Sequence, residues 1–264
     1  MQRGGGQKLQ RRCWLSVFLA LGFLAPLHAQ GVLHVAAAAD LEPVLPAILT
    51  QFAERTGVHA EATYKASAVL TTQILNGAPF DVFLSADTGY PKKLIAAGAA
   101  EPASPIVYAK GTLVLWERKD SHLPPPSIAL LRSPALKTLA IANSEQAPYG
   151  QAAVAALKSL RLYDRLKPRI VVAQNIGQTA QFVESGNADA GLISLTSALT
   201  HTLSSIGSYY VIPRDLYPPI EQGMVIVKKT GNRAAAQRLA DYLLSKPIQG
   251  ELAAGGLAPA YSGQ

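Results

Sequence analysis

The chain has almost no cysteine. Cys13 is the single one in 264 residues, and it lies in a leader segment that the sequence marks for removal. The exported protein therefore has no disulfide, and it needs none at its size. Histidine is sparse as well. Beyond the first thirty residues His34, His59, His122 and His201 stand singly, and no His/Cys/carboxylate group has the spacing of a zinc site. The sequence also lacks G-x-S-x-G, a phosphate loop ending in Gly-Lys-Ser/Thr, G-x-G-x-x-G and H-E-x-x-H, which argues against the corresponding hydrolases, nucleotide-dependent enzymes and metalloproteases. Strong charge of one sign is missing too. The formal +7 is inflated by the leader, which holds four of the 24 basic residues and none of the 17 acids; the remainder sets 20 against 17, a charge of +3. That is too weak and dispersed for a nucleic-acid footprint.

What is present begins with the leader. Arg3, Lys8, Arg11 and Arg12 form a positive n-region, Trp14 to Leu27 an apolar run, and His28-Ala29-Gln30 a small-residue exit. This order is that of a secretory signal, with cleavage expected after Ala29 or within a residue or two of it. The apolar run of about 14 residues, interrupted by Pro26, falls short of the about 20 that span a bilayer. Cys13 precedes the run, so it is not placed as a lipid-anchor cysteine. No other segment is long and apolar enough to span a membrane. Residues 1–29 thus read as a signal peptide, followed by about 235 residues, long for one core and comfortable for two lobes.

Strand and helix signals alternate through this remainder. Val32–Ala36 is a short apolar strand, and Leu41, Val44, Leu45, Ile48, Leu49 and Phe52 follow at helical spacing. Asp40 stands where an N-cap of that helix belongs. Strands are expected at 58–64, 81–85, 112–116, 137–142, 169–173, 190–193, 209–212 and 223–227. Helices are expected at 70–75, 91–97, 150–160, 178–184, 232–244 and 248–253. Such alternation builds parallel sheets flanked by helices, an α/β class.

Four strand-to-helix junctions gather polar or small residues: Ala36–Leu41, Lys65–Ala68, Ala147–Gly150 and Asn175–Gln178. Free N–H groups collect at helix starts, where the dipole is positive, so such junctions hold anions without charged side chains. Each alone has an ordinary reading: Ser67 as a plain cap, Gly177 as a turn residue.

The stretch Gln73-Ile74-Leu75-Asn76-Gly77-Ala78-Pro79-Phe80-Asp81-Val82-Phe83-Leu84-Ser85-Ala86-Asp87 resembles the Q-I-x-x-G-A-P-x-D-V-F-x-S-A-D hallmark of the molybdate-binding proteins of ABC importers, which are type II periplasmic binding proteins. Lys110–Trp116 resembles that family's first crossover, and Ala147–Gly150 and Asn175–Gln178 resemble its second-lobe binding loops. The resemblance implies two α/β lobes, each a mainly parallel sheet flanked by helices, joined by two crossover segments. Lobe one would be 30–111 plus 223–264, and lobe two 112–222, with the second crossing near Gln222. It implies a periplasmic, non-enzymatic, cofactor-free monomer that captures molybdate or tungstate as an oxyanion, with no direct metal-cation ligands. Its partner would be an ABC permease with a cytoplasmic ATPase. Carried over by position, the ligand contacts fall on Ala39, Asp40, Ser67, Tyr149 and the backbone of Ile176.

The first loop departs from the pattern, which places Ser, Thr or Asn where this chain has Ala39 and Asp40. Two unit charges about 4 Å apart at an effective dielectric of about 20 repel by about 4 kcal/mol, and a dianion doubles this. Three readings of Asp40 stand open: it caps the following helix, it is offset by Lys65, or the specificity has changed. The last keeps sulfate, phosphate, a small organic acid or a metal complex as alternative solutes. An exported two-lobe enzyme and a transcriptional effector domain are the alternatives of other classes; the lack of a nucleophile–base motif argues against the first, and the signal and missing helix-turn-helix against the second. Glu221, near the second crossing, reads as a solvated hinge residue.

Overall fold

The computed structural model describes Met1 and residues 31–103 and 105–260. The expected signal segment, with Cys13 and the cut after Ala29, lies outside the described residues. In chain order the strands are β1 (Leu33–Ala38), β2 (Ala60–Lys65), β3 (Val82–Ser85), β4 (Ile106–Gly111), β5 (Leu113–Arg118), β6 (Leu139–Ala142), β7 (Ile170–Ala173), β8 (Ala190–Ser194), β9 (Gly207–Val211), β10 (Ile220–Ile226) and β11 (Ala258–Pro259). They form two sheets, ordered β11-β4-β10-β3-β1-β2 and β7-β6-β8-β5-β9. Each sheet is the floor of one lobe.

Each sheet is parallel where strand–helix–strand units build it and antiparallel where the crossover strands join. β1 pairs β2 and β3 in parallel, and β6 pairs β7 and β8 in parallel. β10 runs antiparallel to β3 and β4, and β5 runs antiparallel to β8 and β9. The chain leaves the first sheet between Gly111 and Leu113 and returns to it at Ile220, so Gln222 lies within β10, opposite Ala109.

Local sequence accounts for most elements. β1 is apolar and buried apart from His34, as a strand covered on both faces must be. Helix α1 (Leu45–Thr56) buries Leu45, Ile48, Leu49 and Phe52, one face at helical spacing, and stops at Gly57. α2 (Ser67–Leu75) and α3 (Gly89–Ala96) complete the first half of lobe one. Lobe two carries α4 (Pro148–Ser159), α5 (Tyr163–Leu166), α6 (Ile176–Glu184), α7 (Leu195–Ala198) and α8 (His201–Ile206); α9 (Arg233–Leu244) and α10 (Lys246–Ala254) return to lobe one. Leu239, Ala240 and Leu243 of α9 join Leu33, Val35 and Phe52 in the lobe-one core. Among the described residues no helix is long and apolar enough to cross a membrane.

The expected helix from Leu41, capped by Asp40, does not form. Ala39–Leu41 is a single 3₁₀ turn, its cap residue Ala38 makes no side-chain bond, and α1 begins only at Leu45. The reason is local: Pro43 and Pro46 interrupt a helix that would run from Leu41, and only a start at Leu45 places Pro46 in a first turn, where its missing N–H costs nothing. β4 was not among the expected strands. It runs into β5 with Thr112 alone between them, so no turn residue announces the change of sheet. The Ser/Thr-rich stretch of α7 and α8 lacks apolar periodicity and is held instead by caps, with Ser194 accepting from the Ser197 N–H and Thr200 from the Leu203 N–H.

Candidate functional site

All four strand-to-helix junctions meet at one place between the lobes. A small cavity is lined by Ala38 to Asp40 at the end of β1, Lys65 to Ser67 between β2 and α2, Ala86 after β3, Ala147 to Tyr149 at the start of α4, and Asn175 and Ile176 at the start of α6. The five residues expected as contacts, Ala39, Asp40, Ser67, Tyr149 and Ile176, all belong to this wall. Larger hollows lie beside α1 and β2 and at the amino ends of β1 and β3. In open α/β sheets ligands bind at the carboxyl ends of strands, and among these three hollows the interlobe cavity is the one placed there.

The wall is built from helix starts left open. The N-cap residues of α2 and α4 are Ala66 and Ala147, and neither offers a side-chain acceptor to the first N–H groups. Ser67 is the first residue of α2 and not its cap. Its Oγ accepts the Ala86 N–H at 3.1 Å, which leaves the hydroxyl hydrogen to be donated elsewhere. α6 differs: Asn175 is a plain cap, accepting from the Gln178 N–H at 2.9 Å, and Ile176 follows as the first helical residue. Together the α2 and α4 starts direct positive dipole ends and uncapped N–H donors at one small volume, an arrangement suited to an anion.

The lobes touch across this volume. The Ala68 N–H donates to the Gln146 carbonyl at 3.1 Å, the Tyr90 hydroxyl to the Glu145 carbonyl at 3.3 Å, and the Thr196 hydroxyl to the Asp40 carbonyl at 2.7 Å.

Asp40 is fully buried, and its carboxylate does not cap a helix. Oδ2 accepts from the side-chain amide of Gln222 on β10. Gln222 is itself fixed by the Tyr108 hydroxyl, which donates to its Oε1 at 2.7 Å. Oδ1 has no hydrogen-bond partner, and neither has the hydroxyl of Tyr149, although that hydroxyl is close enough to help hold the Asp40 charge. Burial outweighs these contacts and raises the Asp40 carboxyl to about 6. Burial, and then the neighbouring Asp40 charge, push Tyr149 and Tyr108 well above the ordinary phenol range. Lys65 is half-buried at the end of β2 and is not among the groups acting on Asp40. The expected offset of Asp40 by Lys65 is therefore not made. Glu221 lies opposite Lys110 on β10, away from the cavity wall. Gln222 and Tyr108 went unread in the sequence; a lone buried glutamine amid Ile220, Met224 and Val225 was the available signal.

Residues 33–258 match the family model described as bacterial extracellular solute-binding protein. The chain belongs to this family. Within the family it is 39% identical to the molybdate-binding protein of Azotobacter vinelandii, over 87% of this chain and 90% of that one. It is 36% identical to the molybdate-binding protein of Rhodobacter capsulatus, over 85% and 87%. The solved structure of the Azotobacter vinelandii periplasmic molybdate-binding protein superposes with a TM-score of 0.81 and 34% identity, covering 88% of this chain and all of that one. A sulfate-binding protein from Mycobacterium tuberculosis shares the fold, with a TM-score of 0.74 at 14% identity. The two-lobe α/β architecture expected from the sequence is thus that of this solute-binding family. Among the described residues no group of three or more His, Cys, Asp or Glu side chains is placed to hold a metal ion.

Proposed function

We propose that this chain is the periplasmic solute-binding component of an ABC importer, a monomer without a chemical step, and that it captures molybdate or tungstate between its lobes. The observation that carries the reading is the convergence of uncapped helix starts and neutral donors from both lobes on one small cavity. The names of its relatives point to the same ligand class. Ala39, Asp40, Ser67, Tyr149 and Ile176 are the contacts, with Ser67 donating its hydroxyl hydrogen and the starts of α4 and α6 their N–H groups. Residues 1–29 are the export signal, cut near Ala29, and the lobes are 30–111 with 220–264, and 112–219, the second boundary lying before the expected 222 because β10 rejoins the first sheet at Ile220; they hinge at the two crossovers. Such lobes open and close about a bound solute, and the closed form would dock on the permease.

Ser67→Ala removes one hydrogen bond to a charged oxygen, worth about 1.5–3 kcal/mol. The expected result is roughly ten- to hundredfold weaker molybdate binding with the fold intact; unchanged affinity would take Ser67 out of the site.

The reading is tested by stripping the mature protein of ligand through unfolding and refolding, then titrating it calorimetrically with molybdate, tungstate, sulfate and phosphate. Tight binding of the first two with sulfate inert is expected. A folded sample that takes sulfate, phosphate or none of the four in preference would sink the assignment. The buried Asp40 carboxylate in the cavity wall favours the second reading, the same fold with another solute, and the same titration separates the two.

A further inference from the structure

Asp40 brings a negative charge to the wall of a site read above as an anion site, and among the described residues no cation is paired with it. The groups around it can be named element by element. From β10 comes the neutral amide of Gln222, donating to Oδ2. From β4 comes Tyr108, which orients that amide by donating to its other end at 2.7 Å. From α4 comes the Tyr149 hydroxyl. From α7 comes Thr196, which is spent on the Asp40 carbonyl and not on the carboxylate. Among the described residues no lysine, arginine or histidine acts on the carboxylate. Lys65, the basic side chain in the cavity wall, is part-exposed at the end of β2.

The polarity of this network is one-way. Tyr108 donates to Gln222 and Gln222 donates to Asp40, so Oδ2 is committed as an acceptor. Oδ1 is buried and unpartnered, as is the hydroxyl of the nearby Tyr149. Because Oδ2 already accepts from Gln222, a proton would go to Oδ1, turning a buried, unpaired acceptor into a neutral O–H donor.

Resting on the oxyanion reading above, we infer that capture of the dianion is coupled to uptake of one proton from solvent, held on Oδ1 of Asp40. The balance is one dianion and one proton bound, with the carboxylate becoming a neutral carboxylic acid; no other bond changes. The physical reason is the shared low-dielectric cavity, where a second negative species raises the cost of the existing charge. Burial has already brought the carboxyl to about 6, so the bound dianion has only to carry it clearly past neutrality for the acid to persist at about pH 7. Asp40 is then a specificity-determining residue: where relatives of the resembled pattern offer a permanent neutral donor, this chain offers one conditional on pH.

The experiment is a calorimetric titration of the wild-type protein with sodium molybdate at about pH 7, in buffers that differ in ionisation enthalpy, repeated with Asp40→Asn. For wild type the observed heat should vary with buffer, with a slope approaching one proton taken up per anion. Its affinity should weaken by up to about tenfold per unit of rising pH above neutrality. Asp40→Asn should show a slope near zero and a flat pH profile. Tight binding with the same heat in every buffer would overturn the proton coupling and leave the oxyanion reading standing. Equal uptake by Asp40→Asn would also overturn it, by placing the proton elsewhere. A folded wild type that binds no oxyanion would overturn the underlying reading and this inference with it.

Discussion

Replacing Gly150 with alanine is expected to weaken anion capture by more than about a hundredfold and to lower the melting temperature, because the start of α4 has no room for a methyl group. A Cβ at Gly150 would sit on the Ala142 carbonyl oxygen and 2.8 Å from the carbonyl carbon and oxygen of Asn143. Both neighbours are backbone at the end of β6, which is hydrogen-bonded between β7 and β8 and cannot retreat. The helix must move instead, carrying Tyr149 and its N–H groups off the cavity. Overpacking of this kind costs about 1–3 kcal/mol of stability, and a displacement of about 1 Å in a positioned group costs about a hundredfold in what that group does. Gly250→Ala is the matched control, since a Cβ there meets nothing within 4 Å in an exposed turn of α10; it should be neutral or stabilising by about 0.5–1 kcal/mol. If Gly150→Ala melts and binds like that control, the tight approach of α4 to β6 is not what sets the site.

Asp40→Asn is expected to stabilise the ligand-free protein at neutral pH by up to about 3 kcal/mol relative to its effect at about pH 4. The sign follows from the direction of the shift. The Asp40 carboxyl is raised from 3.8 to about 6 by burial, so between these values the folded state holds a proton that the unfolded state has released. Stability from this group is therefore full below about pH 4, is lost as pH rises to about 6, and stays lost above. Asparagine presents an oxygen to Gln222 and an amide to Tyr149 at every pH, and carries no such loss. Urea unfolding of both proteins across this range checks it through the difference between the two curves. Parallel curves would mean that water or local rearrangement solvates the carboxylate in the folded state.

Much of this site was readable along the chain because it is made of local features. Each junction is a strand end followed by a helix start, and both are announced by periodicity and by stop residues nearby. Residue order alone therefore places Ala39, Ser67, Tyr149 and Ile176 on a common kind of loop, and the fold brings those loops to one cavity. The start of α1 departs from expectation for a local reason: apolar spacing from Leu41 predicts a helix there, and Pro43 and Pro46 delay it to Leu45. β4 escaped for a different reason: a strand that continues into the next through one residue leaves no punctuation.

Asp40 marks the limit of that reading. Its partners are Gln222, 182 residues further on, and Thr196, 156 residues further on. A local pattern can say that a carboxylate follows β1; it cannot say which way the carboxylate turns. By itself the sequence determined the α/β alternation and the junctions that line the cavity, since each depends on residues close together in the chain, and its single Cys13 excluded a disulfide within it. The tertiary structure alone decided that the Asp40 carboxylate meets a neutral amide and, among the described residues, no cation. That depends on the second crossover laying β10 between β3 and β4, a long-range pairing that brings Gln222 beneath the cavity.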